Sequence, residues 1–177
     1  MLIYLMYPAA GTELPIIPDY KKSPRLHLLD TGLVNYFAGL QKMLSNTHDL
    51  NNVYEGRIAE HIVGQELLAE RKALTEKAQF WVREKKQSSA QVDYIIPFKN
   101  YVIPIEVKSG KSGRLRSLHE FANRTNHKYA VRIYSGKLKV DNAETIKCKK
   151  FSLLNLPYYL TGYIKKYLHW FFEEVIK

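Results

Sequence analysis

The chain has 177 residues, about the size of one domain, and its 46% apolar and 25% charged residues exclude a disordered, collagen-like or low-complexity protein. A single cysteine, Cys148, excludes a disulfide scaffold and a multi-cysteine zinc site and favours a reducing compartment. No apolar run approaches the roughly 18–20 residues of a transmembrane helix, and the first residues lack the basic stretch of a signal peptide. We therefore expect a soluble, cytoplasmic protein with no membrane partner.

The net charge of +10 is concentrated in the second half of the chain. Residues 1–79 contain 8 Lys or Arg against 9 Asp or Glu, whereas residues 80–177 contain 19 against 8. A basic excess confined to one region favours a polyanionic partner such as nucleic acid. A solvated basic surface is the alternative, and charge alone does not separate the two.

The first half of the chain predicts an extended segment followed by two helices. Residues 1–29 combine apolar runs with several prolines, which indicates extended structure and turns. Either Asp30 or Thr31 is a suitable N-cap for a helix over residues 33–44. A second helix is predicted over residues 52–72, because its apolar residues recur at helical spacing.

From residue 79 onward the apolar pattern changes from a helical period to a period of two. Strands are predicted over residues 79–83, 92–96, 101–108 and 128–134, and a helix over residues 114–124. The order of helix, three strands, helix and strand predicts an α/β domain with a mixed central sheet.

The last segment, residues 158–177, predicts an amphipathic helix that is rich in aromatic residues. Its apolar stripe comprises Leu160, Ile164, Tyr167, Leu168, Phe171, Phe172, Val175 and Ile176. A helix on a membrane surface is one interpretation, since Lys165, Lys166 and Trp170 accompany the stripe. We favour packing of the stripe on the domain itself, on a second copy or on a missing domain.

The strand predicted over residues 101–108 carries charged residues where a buried strand should be apolar. Alternation places Ile103, Ile105 and Val107 on one face, and Pro104, Glu106 and Lys108 on the other. A salt-bridged edge strand is one interpretation, which Pro104 favours because proline cannot donate to a ladder. The other is a carboxylate and an ammonium group held side by side in a cleft.

Asp93 is a second charged residue in a strand that is otherwise suited to a core. Burying an unpaired carboxylate is costly, and a metal ion would remove that cost. Only a short connection separates Asp93 from Glu106, so the two carboxylates can meet at one end of adjacent strands. Oxygen ligands favour Mg²⁺ or Mn²⁺ over zinc. Glu60 borders the apolar face of the second predicted helix and is a third acidic candidate.

The ordered set of Glu60, Asp93, Glu106 and Lys108 on this succession of elements resembles the PD-(D/E)xK nuclease superfamily, with its restriction-endonuclease-like core. A narrower resemblance covers roughly residues 20–157 and is to the C-terminal domain of a group of AAA-type ATPases, domain-of-unknown-function family 4143. It rests on the segments KSPRLHLLDTGL (22–33), YEGRIAE (54–60), FWVR (80–83), QVDY (91–94) and IPIEVKSG (103–110).

The resemblance implies a metal-dependent nuclease that hydrolyses phosphodiester bonds in DNA. It makes Asp93 and Glu106 metal ligands and Glu60 an outer-sphere or second-metal ligand. It makes Lys108 the residue that positions the attacking water or stabilises the phosphate. One departure is Gln91, which stands where this domain commonly has Glu and implies weaker metal binding.

The resemblance also divides the chain into three parts. Residues 1–29 resemble the end of a winged-helix linker, residues 30–157 are the nuclease-like domain, and residues 158–177 are the C-terminal helix. The relatives carry an ATPase module before this region, so such a module is one candidate partner, although this chain contains no ATPase. A second copy bound through the C-terminal helix is another.

Basic residues flank the predicted catalytic strands, on loops or at the start of a helix. They are Lys85, Lys86, Lys111, Arg114 and Arg116. A phosphate backbone that passes the site would contact them. The alternative to a nuclease is a non-catalytic module that binds nucleic acid or protein and keeps the acidic residues as a relic.

Overall fold

A computed structural model describes residues 3–37, 55–70, 78–83, 89–110 and 113–176. The strands in these ranges are β1 (Ile3–Met6), β2 (Arg25–Leu28), β3 (Gln79–Arg83), β4 (Ala90–Phe98), β5 (Tyr101–Lys108), β6 (Tyr129–Tyr134), β7 (Lys139–Glu144) and β8 (Lys150–Pro157). The helices are α1 (Thr31–Phe37), α2 (Glu55–Ala69), α3 (Arg116–Ala122), a 3₁₀ helix (Tyr158–Tyr163) and α4 (Ile164–Ile176).

Six strands form one mixed sheet in the order β3-β4-β5-β6-β8-β7. The pairs β3–β4, β4–β5 and β7–β8 are antiparallel, whereas β6 runs parallel to both of its neighbours, β5 and β8. Strands β1 and β2 pair separately as an antiparallel ribbon. The predicted α/β class with a mixed central sheet is therefore confirmed.

The sheet is larger than the four strands that the sequence predicts. The two additional strands, β7 and β8, occupy one side of the sheet beyond β6. Residues 151–157 of β8 are buried throughout, so this strand shows no alternation of apolar and polar residues. Strand β7 is mostly polar and lies at the edge of the sheet, where one side of its backbone needs no partner strand.

The interpretation of residues 101–108 as an edge strand is wrong, because β5 lies inside the sheet between β4 and β6. Pro104 lies opposite Ile95 of β4, and the parallel ladder to β6 begins one residue later, at Ile105 and Val131. Pro104 therefore lies before the first residue pair of the ladder to β6, where a backbone N–H is not needed. This explains how an interior strand accommodates a proline.

The first residues form two strands separated by turns, as the sequence indicates, and the two strands pair as an antiparallel ribbon, which the sequence does not predict. In this ribbon Ile3 pairs with Leu28 and Met6 with Arg25. The backbone N–H of Leu33 donates to Asp30 Oδ1 at 3.0 Å, so Asp30 caps α1.

Helix bounds differ from the predicted ones by a few residues at each end. Helix α3 begins at Arg116 and ends at Ala122, within the predicted 114–124. The predicted continuation of α1 to residue 44, and the predicted ends of α2 at residues 52–54 and 71–72, lie outside the described residues.

The sheet has a hydrophobic core on each face. On one face, Val63 and Leu67 of α2 pack with Ile105 of β5 and with residues of β6, β8 and α4. On the other face, Leu118 and Phe121 of α3 pack with β4, β5, β6 and β8. Both faces of the central strands are thus covered over much of their length, and a charged side chain on these strands must find a partner.

The apolar stripe of the C-terminal segment packs on the chain's own sheet from Leu160 to Phe172, which is one of the arrangements that the sequence predicts. Ile164, Leu168 and Phe171 are fully buried in the core that they share with α2. The ring of Phe172 stacks on that of Tyr129 with centroids 3.9 Å apart. Binding of a second copy through this helix stays a prediction. Within the described ranges, the helices include none that is long and apolar enough to cross a membrane.

We expect the Leu168→Ala variant to lose about 2–5 kcal/mol of unfolding free energy, because it removes a fully buried side chain and leaves a cavity. Lys166→Ala on the exposed side of the same helix should change it by less than about 0.5 kcal/mol. Urea denaturation measures both values. Equal, small effects would contradict the packing of this helix on the core.

Candidate active site

Four charged side chains from α2, β4 and β5 converge in the fold. They are Glu60 on α2, Asp93 on β4, and Glu106 and Lys108 on β5. Burial raises the pKa of all three carboxyls, the charge of Asp93 raises that of both glutamates further, and the charge of Lys108 acts on all three in the opposite direction. The four residues that the sequence singles out as catalytic candidates therefore lie within electrostatic reach of one another.

A bulge in β4 places Asp93. Gln79 of β3 pairs with Ile95, but Trp81, two residues later, pairs with Val92, so β4 has one extra residue in this interval. Asp93 lies within the bulge, and its Oδ2 accepts a hydrogen bond of 2.8 Å from the backbone N–H of Val107 on β5. The carboxylate is thus bonded directly to the backbone next to Glu106.

Glu106 is the most buried of the carboxylates, with 5% of its surface exposed. Its Oε1 accepts a hydrogen bond of 2.6 Å from Lys108 Nζ, whereas its Oε2 is buried and has no hydrogen-bond partner. Burial, and after it the charge of Asp93, raises the pKa of Glu106 to about 7, although Lys108 acts in the opposite direction. The ionised form of this carboxyl is therefore disfavoured in the metal-free protein.

Glu60 is held from two sides. Its Oε1 accepts a hydrogen bond of 2.7 Å from Arg25 Nη1, and its backbone carbonyl accepts one of 2.8 Å from the hydroxyl of Tyr94. Burial and then the charge of Asp93 raise its pKa, while Arg25 and Lys108 lower it. The Tyr94 bond ties this part of α2 to β4, which fixes where the carboxylate lies.

Arg25 is a site residue that the sequence reasoning missed. It comes from β2, its guanidinium lies 4.4 Å from the ring centroid of Phe80, and its Nη1 lies 3.4 Å from the backbone oxygen of Asp93. Arg25 is part of the segment KSPRL, but nothing in that segment indicates a partner 35 residues away.

The carboxylates are engaged by donors of the chain itself. Arg25 binds Glu60, the Val107 N–H binds Asp93, and Lys108 binds Glu106. Across the described ranges, no group of three or more His, Cys, Asp or Glu side chains is arranged to hold a metal ion.

Two carboxylates nevertheless fit a magnesium-like ion. Mg²⁺ usually takes one or two protein carboxylates and completes its shell with water and substrate oxygens. Asp93 and Glu106 supply this donor set, and the buried Oε2 of Glu106 lacks the partner that an ion would provide.

Two of the predicted nucleic-acid-binding residues flank the site. Gly113, which precedes α3, lies against the Lys108 side chain, since a Cβ added at Gly113 would lie 3.0 Å from Lys108 Cδ. Arg114 and Arg116 follow at once and are exposed. Lys85, Lys86 and Lys111 lie outside the described residues.

The family model described as "Domain of unknown function (DUF4143)" matches residues 55–159, more than half of the chain. The chain belongs to this family. No curated protein and no solved structure matches the chain. All four candidate catalytic residues lie within the DUF4143 match, whereas Arg25 and α4 lie outside it. Arg25, which binds Glu60 of the site, therefore comes from outside the matched DUF4143 region.

The raised pKa of Glu106 predicts how the stability of the metal-free DUF4143 domain depends on pH. Between about pH 4.5, the ordinary value, and about pH 7, the folded protein retains a proton that the unfolded chain releases. The free energy of unfolding should therefore fall as pH rises through this window and should level off above it. With a chelator present, we expect this fall in unfolding free energy to be on the order of 3 kcal/mol larger in the wild type than in the Glu106→Gln variant.

Urea denaturation of both proteins at several pH values measures this difference. The two proteins share the titrating groups away from the site, including His119 and His127, so the difference reports Glu106 together with Asp93 and Glu60, whose charges act on it. The same pH dependence in both proteins would show that Glu106 titrates at its ordinary value.

Proposed function

We propose that this domain is a PD-(D/E)xK nuclease that hydrolyses phosphodiester bonds in DNA with Mg²⁺ or Mn²⁺. The observation that carries the proposal is the convergence of Asp93, Glu106 and Lys108 on adjacent strands, with one buried carboxylate oxygen that lacks a partner. The element order α2-β3-β4-β5-α3-β6 supports it, since a restriction-endonuclease-like core has this succession.

Asp93 and Glu106 would hold the ion. When bound, such an ion activates water and offsets the negative charge of the phosphate. Glu106 is suited to this role because burial and the charge of Asp93 disfavour its ionised form in the metal-free protein. A divalent cation would remove that penalty. Glu60 would contribute as an outer-sphere or second-metal ligand.

Lys108 would act on the phosphate or on the attacking water. Its Nζ is an ammonium donor held next to Glu106 by β5, and Gly113 lies against its stem. A fixed cation of this kind stabilises charge that develops on the phosphate in the transition state. The Lys108–Glu106 hydrogen bond also keeps the cation in place before substrate binds.

A non-catalytic binding module is the second candidate, and one observation favours it. Every carboxylate of the site already has a donor from the chain, which is also the arrangement of a purely structural ion-pair network. In that case Asp93 and Glu106 would stabilise the fold and would have no role in cleavage. An AAA-type ATPase partner is proposed for either candidate on the resemblance of the sequence.

We expect the purified chain to nick plasmid DNA in the presence of Mn²⁺ or Mg²⁺. Asp93→Asn should abolish the nicking, because the variant keeps the volume of the side chain but loses a metal-binding charge. Lys108→Ala should slow cleavage by roughly 10²–10³-fold, as expected for the loss of one charge-stabilising donor. Gel analysis of supercoiled plasmid over time measures both effects.

The Lys139–Asp141 pair on β7, with a bond of 2.8 Å, supplies matched controls. Asp141→Asn and Lys139→Ala make the same substitutions in an exposed ion pair, and both should cleave like the wild type. If Asp93→Asn cleaves as fast as the wild type, the activity does not come from this site and the binding module is favoured.

We also expect Arg114 and Arg116 to contact DNA phosphates, because both are exposed and follow Gly113, which lies against Lys108. Replacing both with Ser should reduce the slope of log affinity against log salt by about 1.8, which is about 0.9 for each lost contact on duplex DNA. Fluorescence anisotropy with a labelled duplex measures the slope. Lys147→Ser, in the turn between β7 and β8, is the control and should leave the slope unchanged. An unchanged slope in the double variant would exclude the contacts of Arg114 and Arg116 with phosphates.

A further inference from the structure

The 3₁₀ helix lies at the edge of the sheet where the candidate active site is. In the register of the parallel strands, Lys108 of β5 pairs with Tyr134 of β6, which in turn pairs with Pro157 of β8. The 3₁₀ helix begins at the next residue, Tyr158, whose hydroxyl donates a hydrogen bond to the backbone oxygen of Lys108. This helix is therefore attached directly to the strand that carries Glu106 and Lys108.

The 3₁₀ helix also contacts α2, the helix that carries Glu60. A Cβ added at Gly162 would lie 2.8 Å from Glu66 Oε2, so the two helices touch at this point. Thr161 and Ile164 are fully buried and fix the orientation of the segment. The 3₁₀ helix thus lies between two of the elements that build the candidate active site.

Two tyrosines of this segment face the solvent. Tyr159 exposes 81% of its surface and Tyr163 exposes 64%. Among the described residues, neither side chain makes a hydrogen bond or a ring contact. Tyrosine rings carry a large apolar area and are enriched where proteins bind partners, so two open rings next to a candidate active site indicate a contact surface.

The surface continues onto α4 with a positive charge. Lys166 is exposed and lies one helical turn after Tyr163, and Trp170, one turn further, exposes 37% of its surface. Glu173 is exposed one turn beyond Trp170 and would repel a phosphate, so a basic surface ends there. Aromatic rings that alternate with cations are typical of surfaces that bind single-stranded nucleic acid, because bases stack on the rings and phosphates contact the cations.

A membrane surface is a poorer match for these residues. Helices that bind in the membrane interface bury an aliphatic face among the lipids. The aliphatic residues Ile164 and Leu168 lie in the protein core, and the outward side of α4 exposes Glu173. An unpaired nucleic-acid strand needs only the rings and the cation.

We propose that Tyr159 and Tyr163 stack on bases of an unpaired DNA strand that leads to the candidate active site, with Lys166 in contact with its phosphates. The inference rests on the proposed nuclease function and specifies its preferred substrate, DNA with unpaired nucleotides beside the point of cleavage. In a continuous duplex the faces of the bases are covered by their neighbours, so the two rings could not stack on them.

Fluorescence anisotropy with a labelled oligothymidylate of about ten nucleotides, a length within the site sizes of such proteins, measures the contact. EDTA is present, so that cleavage does not interfere. The double variant Tyr159→Leu/Tyr163→Leu should bind this strand at least roughly tenfold more weakly than the wild type, because it loses two stacking rings. It should bind a blunt duplex as the wild type does. Tyr159→Phe/Tyr163→Phe keeps both rings and should bind the strand like the wild type.

Two controls complete the experiment. Tyr36→Leu makes the same change at a tyrosine of α1 that is 62% exposed, and should bind the strand like the wild type. Vesicles of phosphatidylcholine and phosphatidylserine should not co-sediment with the wild type. Co-sedimentation that the double Leu variant loses would assign the surface to a membrane and overturn the proposal.

The proposal is also overturned if the wild type does not bind the strand, if the double Leu variant binds it as tightly, or if the double Phe variant is as weak as the double Leu variant. These outcomes are distinct from failure of the proposed function. A wild type that binds the strand through both rings but cleaves no DNA would contradict the nuclease alone. A nuclease whose strand binding is unchanged in the double Leu variant would contradict this surface alone.

Discussion

Two carboxylates, Asp93 and Glu106, lie next to each other on adjacent interior strands. Because their negative charges repel each other in a buried setting, the residues around them must supply hydrogen-bond donors or cations. Burial and repulsion together raise the pKa of Glu106 to about 7. A protein can tolerate such a pair only if donors or cations offset it. Lys108, the Val107 N–H and, through Glu60, Arg25 supply these donors.

The fold explains why these donors arrive at the same point. The bulge in β4 directs Asp93 to the backbone of β5, while Glu106 and Lys108 alternate with core residues along the same strand. Helix α2 brings Glu60, and β2 brings Arg25 from outside the DUF4143 match. The site thus requires the central sheet, one covering helix and the N-terminal ribbon together.

Much of this arrangement is visible in the sequence, because alternation and helical spacing report burial directly. The alternating pattern of β5 correctly separates Ile105 and Val107 from Glu106 and Lys108. Helical spacing places Glu60 at the border of the apolar face of α2, and the structure finds it partly buried there.

Other features leave no local signal. Strand β8 is buried on both faces and therefore has no period of two. Arg25 acts through a partner far along the chain, and the bulge at Asp93 depends on the register of β3 against β4. Pro104 suggests an edge strand, yet the start of the ladder to β6 lets it lie in the interior. These features depend on pairing between distant segments.

We propose that Asp93 and Glu106 together bind a divalent cation, which takes the place of the donors that they have in the metal-free protein, the Val107 N–H and Lys108 Nζ. Isothermal titration calorimetry with Mn²⁺ tests it without reference to any reaction, with Asp93→Asn as the variant and Asp141→Asn as its matched control. We expect saturable Mn²⁺ binding by the wild type and by Asp141→Asn, and its loss in Asp93→Asn. Absence of Mn²⁺ binding by the wild type, or equal binding by all three proteins, would contradict it.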